Sequence, residues 1–241
     1  MSIRTAVLPD DPSEPTYTGP VEDYLKVIYE LERATGTATT TEIAHRLAIA
    51  PASVTGMVRR LADQRLLKHE PYRGVRLTQA GQRVALRTLR RHRVIETFLA
   101  RMLDYPWDAV HNEAERLEHA ASDQLVDRMA AVLDEPTVDP HGAPIPTRDG
   151  TVNDQHYPSI AELVPGQQAR LVCVSDDDPA RLRYLAELGL IPGALVVVIA
   201  HAPFEGPISI RVGTRDHTTE HAIGPALARD VLVAPVDAAN R

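Results

Sequence analysis

Cysteine is almost missing from this chain: among 241 residues, Cys173 stands alone. That excludes an intrachain disulfide and fits a reducing compartment. Aromatic residues are scarce, with one Trp and two Phe, so a packed core has to be built from Leu, Val, Ile and Ala. No apolar run approaches the roughly 20 residues that cross a bilayer, and no membrane association is expected. The first residues are polar, acidic and proline-containing, without the basic and apolar segments of a signal peptide; a cytoplasmic location is expected. No His-Glu-x-x-His, Ser/His/Asp set or Gly-rich phosphate loop stands out. One Glu-x-x-His, Glu42 to His45, lacks a partner copy. A metal-dependent hydrolase is therefore an alternative with little support, and the chain does not read as an enzyme.

Charge is present and unevenly spread. The net charge of −7 is mildly acidic. From Pro20 to Trp107, however, basic residues outnumber acidic ones, and beyond Trp107 the balance reverses. A basic module joined to an acidic remainder suits phosphate-backbone binding by one part of the chain.

Residues 1–19 read as a disordered arm. Pro20 then opens a helix with apolar Tyr24, Leu25, Val27, Ile28 and Leu31, ending near Gly36. Thr39 with Glu42 three residues on offers a capping box for a second helix. Pro51 fits the first turn of a third, running from about 52 to 64. Two short helices round a tight turn make a helix-turn-helix pattern. The segment 66–78 reads as two short strands round a Pro/Gly turn, the wing of a winged helix. The alternative is a hairpin pair that serves only for packing. A long helix is predicted over 79–103, with further helices over 108–117 and 122–133. Their apolar surfaces suit either a dimer contact or an intrachain core. A Pro/Gly-rich stretch and a linker over 147–157 follow. The tail changes character: β-rich runs at 169–174, 194–199 and 208–212, separated by turn signals, suggest a small barrel, with one helix over 178–188.

One segment concentrates ligand chemistry. His111, Glu115, Glu118 and His119 follow i, i+4, i+7, i+8 spacing, which places them on one side of an α-helix. His92 and Glu96 make another same-side pair. Such a concentration of carboxylates is unfavourable without a cation; a solvated polar face with ion pairs to arginines is the plainer reading.

With these motifs placed, the chain resembles the diphtheria toxin repressor family of metal-dependent transcriptional regulators. The resemblance rests on Val21-Glu-Asp-Tyr-Leu-Lys-Val-Ile-Tyr-Glu-Leu31, the winged helix, Arg91-His92-Arg93, the His111–His119 segment and the loop Pro140-His-Gly-Ala-Pro-Ile-Pro146. It implies a multidomain fold, mainly α in its N-terminal part. A winged helix-turn-helix DNA-binding domain would occupy 20–90 and a metal-binding and dimerisation domain 91–146. A small all-β SH3-like barrel would follow over 158–241.

The family's regulatory metal site falls on Asp23, Glu115, Glu118 and His119, and its ancillary site on His92, Glu96 and His111. Two sites per subunit are thus expected. Asp and Glu at positions 23 and 115 match the manganese-responsive branch, where iron-responsive members place Met and Cys. Carboxylate oxygens independently suit the harder Mn²⁺, with Fe²⁺ the alternative. Lys26 stands where short manganese regulators have a glutamate that helps hold a second, adjacent ion. Asp176, Asp177 and Asp178 are the nearest candidates for a ligand from the SH3-like domain, or else caps of the helix after them. His217 and His221 read as surface histidines. Ala50, Pro51, Ala52, Ser53, Thr55 and Gly56 would face the major groove, and Arg59, Arg60, Arg73 and Arg76 the phosphates. The implied partners are a second copy of the chain and palindromic operator DNA. The function implied is a Mn²⁺-activated repressor of metal-uptake genes, or an Fe²⁺-responsive repressor of iron-homeostasis genes.

Overall fold

The structure, a computed structural model, describes residues 17–70, 74–153, 155–175, 178–213 and 218–236. Most of the expected arm, Arg73, Asp176, Asp177 and His217 lie outside the described residues. The chain divides into two compact units. One comprises Met1–Ile95, Glu115–Glu135 and Pro146–Val152; the other comprises Glu96–Ala114, Pro136–Ile145 and Asn153–Arg241.

In the first unit, α1 (Gly19–Thr35) carries Pro20 in its first turn and stops at Gly36, whose left-handed backbone returns its N–H to the Glu32 carbonyl. α2 (Thr40–Arg46) carries the expected reciprocal Thr39–Glu42 capping box. After a turn, α3 (Pro51–Asp63) opens on Pro51, whose missing N–H costs nothing there. β1 (Leu67–Glu70) and β2 (Gly74–Leu77) pair antiparallel, Leu67 opposite Leu77. Glu32 on α1 accepts the Leu77 N–H at 2.5 Å, and Ala38 bridges Val75, so the wing is fastened to the end of α1. α4 (Gln79–Leu103), which belongs to this unit as far as Ile95, has the predicted bounds. Leu25, Ile28, Ile43, Val54, Leu61, Leu66 and Leu89 form a common core, each almost wholly buried. At about 1.5–3 kcal/mol per large apolar side chain, this cluster is what orders the helices. α5 (Val110–Leu117), which belongs to this unit only from Glu115 on, ends two residues earlier than the ligand segment, which continues as a turn with Ala120 and Ala121 donating to the Leu117 carbonyl. α6 (Asp123–Val132) is capped by Ser122. Thr147–Thr151, inside the expected linker, forms a hydrogen-bonded turn.

The second unit is built on β3 (Gln168–Val174), β4 (Leu195–His201), β5 (Ile208–Gly213), β6 (Thr218–Ile223) and β7 (Val231–Pro235), with α7 (Pro179–Glu187) and the short α8 (Pro225–Arg229). Ile160, Leu171, Leu182, Leu185, Leu190, Val196, Ile210 and Val233 form its core, with Trp107 packed against it. The strands make one antiparallel sheet in the order β6-β5-β4-β3-β7. The expected barrel is thus not closed: among the described residues β6 and β7 are the sheet's two edges. Gly224-Pro225 turns the chain from β6 into α8, and β7 then joins β3 in place of β6. No helix among the described residues is long and apolar enough to cross a membrane.

Candidate functional site

Three ligand-type side chains of the first unit converge from two places in the chain. Asp23 comes from the first turns of α1, and Glu118 and His119 from the turn after α5; one donor atom from each lies within 4.8 Å of the others. His119 Nε2 is 2.8 Å from Asp23 Oδ1 and 3.6 Å from Glu118 Oε1. Its other nitrogen, Nδ1, donates to Glu22 Oε2 at 2.8 Å. Glu22 is itself buried against the Arg91 guanidinium at 2.8 Å, so the imidazole is held with Nε2 turned into the cluster, as ligating histidines usually are. Burial alone would lower the His119 pKa; the hydrogen bond to Glu22 and the charges of Asp23, Glu118 and Glu22 outweigh it and raise it. Burial raises Asp23, against the pull of His119 and Lys26. Glu118 is fully buried. Burial would push its carboxyl up, but hydrogen bonds from His92 and Lys26 and their charges hold it below the usual range. His92 Nδ1 lies 2.5 Å from Glu118 Oε2. Glu115 stands beside this group, its Oε1 at 2.7 Å from Lys26 Nζ and 3.8 Å from His92 Nδ1.

The second unit holds a separate cluster around Glu96 on α4. His111 Nδ1 is 3.3 Å from Glu96 Oε1. Asp139 and His141 join Glu96, with a donor atom from each of the three within 4.8 Å of the others; all three are buried. His141 Nε2 donates to the Trp107 carbonyl at 2.7 Å. A carbonyl can only accept, so Nε2 carries a proton; Nδ1 lies 4.0 Å from Glu96 Oε1. Asp139 Oδ1 accepts the backbone N–H groups of His141 and Ala143, which shapes the loop. Gly142 completes it with φ 91°; a Cβ there would lie 1.9 Å from the Val172 carbonyl oxygen. The loop therefore lies directly on β3, where Val174 N–H bonds to His141 O.

The residues expected to face DNA lie together on the first unit. Ala50, Pro51, Ala52, Ser53, Thr55, Gly56, Arg59 and Arg60 are all exposed along α3, and Arg76 is exposed on β2.

The iron-dependent repressor N-terminal DNA-binding domain model matches residues 17–75. The iron-dependent repressor metal-binding and dimerisation domain model matches 78–147, and the FeoA domain 159–235. The iron-dependent repressor IdeR of Mycobacterium leprae is 31% identical over 218 residues, which span 86% of this chain and 94% of that protein. The chain belongs to the diphtheria toxin repressor family. Within the family, the MntR regulator of Bacillus subtilis is 38% identical over 116 residues, 48% of this chain and 81% of that protein. A solved manganese-dependent transcriptional repressor in complex with manganese is 37% identical with a TM-score of 0.82, covering 90% of this chain and 100% of that one. The repressor ScaR with bound Cd²⁺ gives 31% and 0.79, over 90% and 99%. The relatives are DNA-binding regulators, and this member of the family is not an enzyme.

Against the family's pattern, Asp23, Glu118 and His119 come together, while Glu115 is engaged by Lys26. Of the expected ancillary set, Glu96 and His111 lie together, and His92 is hydrogen-bonded to Glu118. Sequence reasoning missed Glu22, Asp139 and His141. The signal for the last two was present in the 140–146 loop, where Asp139 and His141 flank Pro140. Asp178 caps α7, accepting from Ala180 and Arg181, and His221 bonds Thr219 on the exposed edge strand β6. Both clusters fit a divalent first-row ion: they offer convergent carboxylate oxygens and imidazole nitrogens without sulfur, buried in the second cluster and partly open to solvent in the first.

Proposed function

We propose that this protein is a homodimeric, Mn²⁺-activated repressor of metal-uptake genes, acting in the cytoplasm on palindromic operator DNA. The observation that carries the reading is the meeting of Asp23, on the first helix of the reading head, with Glu118 and His119 beyond α5. Asp23, Glu118 and His119 would hold the regulatory ion; Glu96, Asp139, His141 and His111 would hold a second one. A bound cation supplies charge that neutralises these carboxylates and favours their closed arrangement. The chain does the rest. Glu22 and Arg91 orient His119, and Asp23 presents the charge of α1 to the Glu118 turn. Without a cation, the closed arrangement rests on the contacts of Lys26 and His119, against the repulsion between Asp23 and Glu118, and looser positions of the reading head gain population. The metal therefore acts by population shift. Moving an equilibrium from 1:99 to 99:1 takes about 5.5 kcal/mol, within reach of several metal–ligand bonds. Fe²⁺ is the second reading, supported by the IdeR relatives that align with most of the chain. Operator binding titrated with Mn²⁺ and Fe²⁺ in parallel, without oxygen, tests the choice. Half-saturation at lower Mn²⁺ than Fe²⁺ is the expected result; the reverse order selects iron, and indifference to both ions overturns the metal switch.

On α3, Gly56 supports the DNA-facing assignment. A Cβ at Gly56 would meet nothing within 4 Å, so the fold itself gains nothing from glycine there. Glycine inside a helix costs about 0.5–1 kcal/mol relative to alanine. Close approach of another molecule accounts for it. Gly56→Ala should therefore raise the melting temperature yet weaken operator binding by about tenfold, the scale of one lost base contact. Stabilisation with undiminished affinity would place the duplex elsewhere. Few residues on this face can make bidentate base contacts, so methyl contacts and DNA shape would carry much of the specificity. Arg59, Arg60, Arg73 and Arg76 would bind phosphates.

A further inference from the structure

Residues 147–157 read as a linker in the sequence, yet the chain from Pro146 to Val152 is fastened at both ends. At its start, the Arg90 guanidinium on α4 donates to the Pro146 carbonyl at 3.1 Å and pairs with Asp127 on α6 at 3.3 Å. Arg148 reaches the other oxygen of that carboxylate at 2.9 Å. The Arg90 and Asp127 side chains are only 13% and 14% exposed, so water screens this knot less than an ordinary surface pair. Between its ends the segment closes on itself. Thr147 N–H donates to the Thr151 carbonyl at 2.8 Å, and Asp149 accepts both threonine hydroxyls. Gly150, at φ 80°, supplies the left-handed backbone of this turn. At the far end, Val152 packs against the core of the winged helix, the cluster that holds Leu25, Ile28, Leu86 and Leu89. The segment and all its anchors belong to the first unit.

We propose that the 146–152 segment is a strap: it holds the reading head in the closed position relative to α6, and so lowers the cation concentration at which the operator is bound. A turn already folded by its own hydrogen bonds has little chain entropy left to lose on docking. None of the anchoring contacts uses a residue of either ligand cluster, so the strap works with or without an ion. Contacts made in the closed arrangement raise its population, and a cation that prefers the same arrangement then has less to supply. Val152 and Arg148 are thus positioning residues. The metal half of the proposal rests on the repressor reading given above, whereas the docking of the strap does not.

The test uses the full chain with Val152→Ser, Val152→Leu and Arg148→Ala. Trypsin cuts a docked segment when it opens, so cutting after Arg148 follows the open population. In chelator, Val152→Ser should speed that cut by about fivefold, and Val152→Leu should match the unaltered protein. In operator binding followed across a Mn²⁺ titration, Val152→Ser should raise the half-saturating Mn²⁺ concentration by about fivefold, with affinity at saturating Mn²⁺ kept. A merely structural defect would lower the saturating affinity as well, and that result overturns the proposal. Arg148→Ala should move half-saturation the same way by about twofold, as a half-exposed ion pair allows. An unchanged cutting rate overturns the docking, and an unchanged or lowered half-saturation overturns the strap's role. Should Val152→Ser fail to fold, Arg148→Ala decides by the same titration. If the unaltered protein shows no response to Mn²⁺, the functional reading fails, and trypsin still judges the strap.

Discussion

Replacing Asp23 by alanine is expected to cut Mn²⁺-stimulated operator affinity by about 100-fold while leaving the dimer intact. The size of the effect follows from where Asp23 sits. Of the converging group, Glu118 and His119 lie together beyond α5, and Asp23 is the member that α1 contributes. Without it, a cation bound by Glu118 and His119 has no preference between positions of the reading head, and a ligand without differential affinity shifts nothing. Binding measured in chelator should match the unaltered protein, because the arginines and the α3 face are untouched. Fluorescence anisotropy with operator DNA across a Mn²⁺ titration, alongside light scattering for the dimer, checks both halves. A full metal response in Asp23→Ala would disprove the bridge between α1 and the Glu118 turn.

Glu96→Gln should act with opposite signs in the absence and presence of metal. Glu96 and Asp139 are buried carboxylates, with ligand-type atoms within 4.8 Å of each other and of His141. Like charges at such distance in a desolvated place are unfavourable, so in chelator the neutral amide should leave the second unit as stable as before, or more so. In Mn²⁺ the same change removes a ligand. An ion present at 100 times its dissociation constant stabilises the state that binds it by about 2.7 kcal/mol, and that gain should be lost. Metal counting should show one ion fewer per chain. An undiminished count would make this cluster a polar network and no ion site.

The helices were legible because their ends are written in local chemistry. Pro20, the Thr39–Glu42 box, Pro51 and Ser122 each answer unpaired N–H groups at a helix start, and α4 came out with its predicted bounds. β6 and β7 were not legible as strands. β6 is the polar edge segment Thr-Thr-Glu-His-Ala-Ile, exposed on most of its positions, and so lacks the apolar alternation that betrays a strand. α8 spans five residues, too few to show a period. The ligand segment was half legible. Its residue types pointed to a cation, but helical spacing stops describing it at Leu117, and the residues beyond belong to a turn. Asp139 and His141 come from a loop, where no periodicity brings ligands to notice, and their approach to Glu96 is decided by tertiary packing. Glu22 was masked by its neighbour: adjacent residues on a helix point about 100° apart, yet the His119 ring is large enough to touch both Glu22 and Asp23.

The clasp between Glu32 and the Leu77 N–H makes α1 a lever with a load at each end. From Asp23 to Glu32 the helix rises about 13 Å. A tilt of roughly 5° pivoting at the aspartate then carries the far end, and the wing fastened to it, through about 1 Å, which is enough to make or break a hydrogen bond. In the proposed repressor, such a tilt would turn a small adjustment among the carboxylates into a displacement that a phosphate oxygen can sense.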